Sequence, residues 1–482
     1  MLMKTYITTA IPYVNGVPHL GHAEDYLLAD IFSRYKKLQG DKVKFQAGTD
    51  EHGNKIEKKA EELGVDVQDY VDENAQKFKD FISKLGVEYT DFIRTTDENH
   101  LKNVQKIWEK LSSHIYEDTY KGWYCSGCER FITDTEYKEN NGVCPDHQKP
   151  YEALEETNYY YRVSDFKEEI KAKIESDELK IVPDFRKKEI LKLLVDAPDV
   201  SISRPTEHLK WGVPVPGDEN QVMYVWMDAL SNYITVLGYP EKDISDFWPA
   251  TVQIVGKDIL RFHAILWPAI LLGLGLDLPK TLLCHGFILS NGQKMSKSIG
   301  NVVDPLDVLE KHGLDAFRYF FSRHIDTFTD SDFTWEKYED AYNNELANDY
   351  GNLVQRLATL CLKNDVDKEY LEKYNPKTYE KKSLNRYFCD KMDNFKFSEG
   401  IDFAWGEISE INKDLEETKP WSLAKEDKEA AKRILGNLVE KLLEKNEMLK
   451  PFLPAAEKVE KIFKADKIEP PKSPLFPKEF KK

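Results

Sequence analysis

The stretch of residues 8–22, TTAIPYVNGVPHLGH, constrains the fold more than any other part of the sequence. The preceding residues are rich in Thr, Tyr and Ile, which favour a β-strand. The Pro and Gly residues then turn the chain, and an amphipathic helical pattern restarts at about Gly21. A helix N-terminus after such a turn directs unpaired N–H groups at an anion. The sequence therefore predicts an anion site flanked by His19 and His22, where Gly21 lets a ligand approach the backbone.

This turn has two other interpretations. The two histidines could lie in an ordinary loop, or they could bind a metal, although no third ligand is nearby.

A second motif favours nucleotide chemistry. Residues 285–300, HGFILSNGQKMSKSIG, are an apolar run that opens into a Gly-rich loop carrying Lys294 and Lys297. Ammonium groups on such a loop suit phosphate binding.

Composition limits the class of protein. The chain has 482 residues, of which 41% are hydrophobic and 32% charged, so we expect a globular protein of two to four domains. Its most apolar stretch, residues 265–278, is interrupted by Pro268 and Asp277 and is too short to cross a bilayer. With no leader pattern at residue 1, we expect a cytoplasmic location and no membrane partner. The net charge of −17 does not exclude a local basic face for nucleic acid.

Three of the six cysteines are clustered. Cys125 and Cys128 are separated by two residues, and so are Cys144 and His147. Three thiolates and an imidazole in this pattern can bind zinc tetrahedrally, and four protein ligands leave no position for a reactive water. The sequence therefore predicts one structural zinc. The alternative is a disulfide, which an intracellular location disfavours.

The order of the elements predicts an α/β fold. Residues 1–114 alternate between strand and helix patterns, as in a Rossmann-like, doubly wound parallel sheet. A second strand at residues 42–47 precedes GTDEHG, so Asp50 lies where such sheets bind ligands, although it could be only a helix N-cap. We expect the sheet to resume at residues 222–230 and again at residues 251–259.

Two helical regions follow. Ile259, His263 and Trp267 recur every four residues and share a helix face, which is either ordinary core or a pocket wall. From about residue 338 to residue 449 the apolar periodicity is helical, which predicts an all-α helix bundle.

HLGH at residues 19–22, followed by KMSKS at residues 294–298, resembles the signature pair of class I aminoacyl-tRNA synthetases, and the resemblance covers essentially the whole chain. A short connective insertion with a single zinc knuckle, too small for an editing domain, is similar to one bacterial subgroup of methionyl-tRNA synthetases. The resemblance implies a ligase that uses ATP with Mg²⁺, L-methionine and tRNA(Met) and serves protein synthesis. The rival classes are another class I synthetase, a small-molecule nucleotidyltransferase, and an RNA-binding factor with an inactive catalytic domain.

The resemblance also implies the site residues. Leu230 departs from the family pattern, because many relatives have proline at this position. In the anticodon set, each residue taken alone would be an ordinary helix or loop position. The implied catalytic residues are His19, His22, Lys294 and Lys297, which also bind ATP together with Gly21, Gly256 and Asp258; the methionine-binding residues are Ile11, Tyr13, Asp50, Trp226, Ala229, Tyr233, Ile259, His263 and Trp267; the anticodon-binding residues are Asn352, Arg356 and Trp421.

The same resemblance implies the domain order. We expect a monomer, because no dimerisation domain is recognisable after the helices. The expected domains are residues 1–114 and 222–302 for the two halves of the Rossmann catalytic domain, 115–221 for the connective insertion with its zinc knuckle, 303–337 for a stem-contact segment, 338–468 for the anticodon-binding helix bundle and 469–482 for a C-terminal tail.

Overall fold

The computed structural model describes residues 3–125, 130–145, 148–295, 300–380 and 383–478. Strands alternate with helices up to residue 333, and helices follow. The strands are β1 Lys4–Thr9, β2 Lys42–Thr49, β3 Asp91–Arg94, β4 Ile115–Cys125, β5 Arg130–Ile132, β6 Glu152–Tyr161, β7 Lys180–Val182, β8 Val200–Ser201, β9 Ser203–Pro205, β10 Pro214–Val215, β11 Asp218–Met223, β12 Val252–Gly256, β13 Thr281–His285, β14 Ile288–Ser290, β15 Gln293–Lys294 and β16 Ser331–Phe333.

The helices include two π-helical segments, Phe262–Leu266 and Ala341–Gly351, which continue directly into the α-helices that follow them. The α-helices are α1 Leu20–Gln39, α2 Asn54–Leu63, α3 Val67–Lys84, α4 Glu98–Lys110, α5 Asp134–Glu139, α6 Lys167–Glu175, α7 Asp184–Val195, α8 Val225–Thr235, α9 Trp267–Gly273, α10 Pro305–Arg323, α11 Trp335–Asp340, α12 Asn352–Lys363, α13 Lys368–Tyr374, α14 Arg386–Asp393, α15 Phe397–Thr418, α16 Pro420–Leu423, α17 Lys428–Asn446 and α18 Ala455–Lys464.

A six-stranded parallel sheet with the order β3-β2-β1-β12-β13-β7 organises the first part of the chain. Strand β12 is buried at every position, as expected for a strand with both faces covered. The chain adds β2 and β3 on one side of β1 and later adds β12 and β13 on the other. The order therefore reverses between β1 and β12, which is where open α/β sheets bind their ligands. The predicted parallel α/β sheet is confirmed.

Two expectations about this sheet need correction. Residues 222–230 do not continue it, because β11 pairs antiparallel with β9 and β10 in a separate sheet and α8 starts at Val225. Conversely β7 lies inside the range 115–221 expected for the insertion, yet it forms the edge of the parallel sheet beside β13. A three-residue edge strand is defined by its pairing and is too short to show a periodicity of its own.

The later helices pack onto the parallel sheet domain through α1. Arg318 of α10 is fully buried and lies 2.7 Å from the carboxylate of Asp30 in α1. Its other N–H groups donate to the backbone carbonyl oxygens of Leu85 and of residues 451 and 452. One guanidinium therefore joins α1, the end of α3 and the chain before α18. No helix in the described part of the chain is both long and apolar enough to cross a membrane.

Candidate active site

A cavity of about 640 Å³ opens at the carboxyl ends of four adjacent strands. Each strand contributes a residue at its end or just after it. These residues are Asp50 after β2, Ile11 after β1, Asp258 after β12 and His285 as the last residue of β13. The cavity thus occupies the position where the strand order reverses. Residues predicted from distant parts of the sequence meet here because parallel strands end at one edge.

His19 and His22 cap the N-terminus of α1 reciprocally. The backbone N–H of His22 donates to Nδ1 of His19 across 3.4 Å, and the N–H of His19 donates to Nδ1 of His22 across 3.2 Å. Since each Nδ1 accepts a hydrogen bond, each neutral ring carries its proton on Nε2. The rings stack with centroids 3.6 Å apart, and a Cβ on Gly21 would lie only 3.1 Å from the His19 ring. This turn therefore presents imidazole N–H donors at the positive end of a helix.

Burial, followed by the proximity of His19, holds the pKa of His22 well below its ordinary value. The edge of the ring also packs against Phe78, with centroids 5.2 Å apart. His22 is consequently neutral at physiological pH. It can donate one hydrogen bond to an anion without first losing a partner.

His263 and Tyr233 form a neutral polar pair in the cavity wall. Nδ1 of His263 lies 3.0 Å from the carbonyl oxygen of Ile259 and must be its donor. Nε2 therefore accepts from the Tyr233 hydroxyl, 2.7 Å away. Burial lowers the pKa of His263 to about 4, so this arrangement holds throughout the physiological range. The wall consequently offers oxygen lone pairs without net charge.

One face of α8 supplies the rest of this wall. Trp226, Ala229, Leu230 and Tyr233 line the cavity at the spacing of a helix face. The predicted stripe that includes Trp267 is only partly on the surface of the cavity. Trp267 is fully buried behind Tyr233, with ring centroids 5.8 Å apart.

The segment that carries this stripe is not a regular α-helix. Its π-helical turn contains His263 and has more residues per turn than an α-helix. Such turns are frequent at functional sites. Trp267 begins the next helix and donates its indole N–H to Gln253 across 3.0 Å. The wall therefore has Ile259 and His263 at the surface and Trp267 as its support.

The opposite side of the cavity is polar. A Cβ on Gly256 would lie 2.8 Å from a carboxylate oxygen of Asp258, so glycine is required for the observed position of that carboxylate. Lys294 also lines the cavity and is exposed, with its ammonium group 4.7 Å from the centre of the Phe287 ring. Lys297 lies outside the described residues.

Sequence reasoning missed a charged pair in the cavity lining, Asp25 and His285. Nε2 of His285 donates to Asp25 across 2.9 Å, and Nδ1 donates to the carbonyl oxygen of Gly286 across 2.8 Å. Burial opposes the charged ring, but the carboxylates of Asp25 and Glu24 raise the pKa of His285 well above its ordinary value. The imidazolium and Asp25 thus form an ion pair in the cavity. His285 ends a parallel strand, the same signal that identified Asp50.

The predicted zinc ligands are described only in part. Cys125 and Cys144 are both buried in one small cluster with Ile132 and Tyr151. The other two predicted ligands, Cys128 and His147, lie outside the described residues. Within the described ranges no group of three His, Cys, Asp or Glu side chains could hold a metal.

The predicted anticodon residues come together on the C-terminal helices. The guanidinium carbon of Arg356 lies 5.4 Å from the centre of the Trp421 ring, and its Nη1 forms a 2.6 Å ion pair with Glu416. Asn352 is exposed one helical turn before Arg356. Both ring and guanidinium are half-buried, so an aromatic and a planar cation share one surface with an exposed amide.

Comparison with known proteins gives concordant results. The family model of class I (M) tRNA synthetases matches residues 5–153 and 147–358. A methionine–tRNA ligase of Thermotoga maritima is 39% identical over 471 residues, 94% of this chain and 74% of the relative. A methionine–tRNA ligase of Clostridium acetobutylicum is 41% identical over 467 residues, 94% of this chain and 72% of the relative.

The fold matches a solved structure over nearly its whole length. The methionyl-tRNA synthetase of Mycobacterium tuberculosis, solved in complex with methionyl-adenylate, superposes with a TM-score of 0.90 at 31% identity. The match covers 99% of this chain and all of that chain. With the cavity at the reversal of the parallel sheet, these similarities show that the chain belongs to the methionyl-tRNA synthetase family of class I tRNA synthetases.

Proposed function

We propose that this chain performs the reaction for which its family is named. It joins methionine to ATP as methionyl-adenylate with release of pyrophosphate, and it then transfers the methionyl group to the terminal adenosine of tRNA(Met). One observation carries the proposal. A single cavity combines a histidine-capped helix N-terminus, suited to phosphates, with a neutral aromatic wall, suited to a thioether side chain.

The amino acid would lie between Asp50 and the face of α8. Asp50 is 5% exposed and lines the cavity, so its carboxylate can pair with the substrate ammonium group. The side chain would enter the pocket formed by Ile11, Tyr13, Trp226, Ala229, Tyr233, Ile259 and His263, with Trp267 as support. Aromatic rings contact a thioether sulfur favourably, by about 0.3–1.5 kcal/mol per contact. A neutral His263 also avoids placing a cation beside that sulfur.

ATP would occupy the polar side. The Nε2–H groups of His19 and His22 suit the phosphate oxygens, and Gly21 leaves room for the adenine ring. Gly256 and Asp258 would bind the ribose, because Asp258 is exposed at the cavity and its carboxylate can accept from hydroxyl groups.

In this proposal no residue becomes covalently attached to the substrate. The methionine carboxylate attacks the α-phosphorus, the bond to the pyrophosphate oxygen breaks, and charge grows on the leaving group. Lys294 and Lys297 would stabilise that charge, and the two histidines would orient the phosphates. Mg²⁺ bound to the triphosphate would neutralise part of its charge.

The cation–π pair of Arg356 and Trp421, with Asn352 one helical turn away from Arg356, supports a role in reading the anticodon. Proteins recognise single-stranded RNA bases by stacking them on aromatic rings or guanidinium planes and by hydrogen bonding to base edges. Trp421 would stack on one base while Asn352 and Arg356 bond to edges. This surface lies on the later helices and is separate from the cavity.

The zinc knuckle remains part of the proposal. The thiols of Cys125 and Cys144 share one buried cluster, as two ligands of the same ion must. Together with Cys128 and His147 they would hold one structural zinc, whose binding free energy supports folding of a small module. We propose that the enzyme acts as a monomer in the cytoplasm.

A charging experiment tests the proposed function. Purified protein is given ATP, labelled methionine and a tRNA(Met) transcript with its CAU anticodon, or the same transcript with one anticodon base changed. We expect efficient charging of the first transcript and strongly reduced charging of the second. No charging with methionine, or equal charging of both transcripts, would contradict the proposal.

A further inference from the structure

The face of α8 that points away from the cavity carries a buried charged residue with no role in the reaction as proposed. Asp228 is 1% exposed and lies between the cavity residues Trp226 and Ala229 in the chain. Its two carboxylate oxygens each accept from a different histidine: Nδ1 of His52 at 2.7 Å and Nε2 of His100 at 2.8 Å. Burial alone would raise the pKa of Asp228, but the two histidines lower it to about 2.

Further hydrogen bonds continue along the same rear face. Nδ1 of His100 lies 2.7 Å from the hydroxyl of Thr235, and Gln46 donates to Asn232 across 2.8 Å. Asp228, Asn232 and Thr235 are spaced as one helix face; Asn232 also lines the cavity, whereas Asp228 and Thr235 do not. The position of the cavity wall is therefore defined by polar contacts behind it as well as by apolar packing.

His52 connects this face to the loop that carries Asp50. On one side, the backbone N–H of Asp50 donates to the carbonyl oxygen of Pro12 across 2.9 Å. On the other side, His52 is bonded to Asp228, and the indole N–H of Trp211 donates to the carbonyl oxygen of Glu51 across 2.6 Å. The loop is thus held between β1 and α8, and Asp50 projects into the cavity between them.

We propose that His52 and Asp228 are positioning residues that set the distance between the Asp50 carboxylate and the apolar wall on α8. An amino acid must reach both at once, with its ammonium group on one and its side chain on the other, so their separation acts as a length gauge for the substrate. This inference rests on the proposed function. His100 holds the same carboxylate but is carried by α4, so it does not tether the loop.

The geometry supports a rigid gauge. Both partners are buried, and the carboxylate is ionised throughout the physiological range, so neither can exchange its contact for water without a penalty. ATP does not have to contact both Asp50 and the wall on α8, because its proposed partners, the turn with His19 and His22 and the side chain of Asp258, lie on other elements. A loosened tether should consequently affect methionine binding far more than ATP binding.

Matched substitutions separate this role from a purely structural one. His52→Ala removes the tether, His52→Asn restores an N–H donor near the position of Nδ1, and His100→Ala removes a hydrogen bond to the same carboxylate without touching the loop. Each variant is assayed by ATP–pyrophosphate exchange for the KM of methionine and of ATP, with thermal denaturation as a measure of folding. If His52→Ala does not fold, His52→Gln keeps the volume and displaces the donor.

We expect His52→Ala, or His52→Gln in its place, to raise the KM of methionine about tenfold or more while the KM of ATP changes less than about twofold, equivalent to a loss of about 1.4 kcal/mol confined to one substrate. His52→Asn should recover most of this loss, and His100→Ala should lower thermal stability without the methionine-specific effect. Equal effects of His52→Ala and His100→Ala, or parallel changes for both substrates, would overturn the inference. Wild-type protein that shows no exchange with methionine would instead contradict the proposed function.

Discussion

Tyr233 donates its hydroxyl proton to Nε2 of His263 across 2.7 Å, because Nδ1 of the same ring already donates to the carbonyl oxygen of Ile259. Both ring nitrogens are therefore hydrogen-bonded, and a second ring proton on Nε2 would require the Tyr233 hydroxyl to turn and accept instead of donate. This relationship keeps the cavity wall neutral. Protonation of His263 would reverse the direction of this hydrogen bond and place a charge in a buried wall.

The first prediction concerns stability in acid. The pKa of His263 is about 4 in the folded protein and about 6.5 when unfolded, so the unfolded chain binds more protons between these values. Stability should fall as pH is lowered from about 6.5 to about 4, by up to about 3 kcal/mol from this residue. Thermal denaturation midpoints over this range should therefore depend less on pH in His263→Gln than in the wild type. Identical pH dependence would show that His263 titrates normally.

The second prediction concerns the anticodon surface. Trp421→Ala should weaken tRNA charging by one to two powers of ten, because stacking is worth about 1–3 kcal/mol per base. Methionine activation without tRNA should change little. Both reactions are measured on one preparation, with Tyr374→Ala as the control, since Tyr374 is also an exposed aromatic on the later helices. Equal losses in both reactions would indicate misfolding, and undiminished charging would place anticodon recognition elsewhere.

The third prediction concerns the buried pair of Asp30 and Arg318, which joins α1 to α10. Asp30→Asn should lower the free energy of unfolding by about 3–5 kcal/mol, because it leaves a buried guanidinium without its counter-charge. Glu98→Gln is the matched control, since its ion pair with Lys102 is exposed to water and contributes little to stability. Urea denaturation of the three proteins gives the comparison. Similar losses in both variants would contradict the assigned importance of burial.

The fourth prediction concerns zinc. Protein prepared without added zinc should contain about one zinc ion per chain, and Cys144→Ser should lose it together with thermal stability. Cys389→Ser should keep the metal, because Cys389 lies on α14, far along the chain from the knuckle. Elemental analysis provides the measurement. A fully active protein without metal, or a disulfide between Cys125 and Cys128, would refute the assignment.

Much of the fold was predictable because its signals are local. The strand, turn and helix around Gly21 follow from residue types alone, and α1 begins at Leu20, next to the predicted restart at about Gly21. The position of Asp50 followed from a single rule, that ligands bind at the carboxyl ends of parallel strands. The same rule applies to His285, whose role depends on Asp25, a residue 260 positions away.

What could not be predicted depends on pairing between distant segments. Strand β7 has only three residues and is recognised by its bonds to β13. The apolar run at residues 222–230 joins the end of the antiparallel strand β11 to the start of α8. A π-helical turn around His263 changes which residues of the stripe reach the cavity. The role of Asp228 was also not predictable from its own segment, because it depends on hydrogen bonds from His52 in a loop and from His100 in another helix.

ATP–pyrophosphate exchange, measured separately with each of the standard amino acids, tests the central claim most directly. The neutral wall and the Asp50 carboxylate predict that methionine alone supports rapid exchange, and that branched or charged amino acids support little. Exchange that is absent with methionine, or that is faster with a different amino acid, would contradict the account.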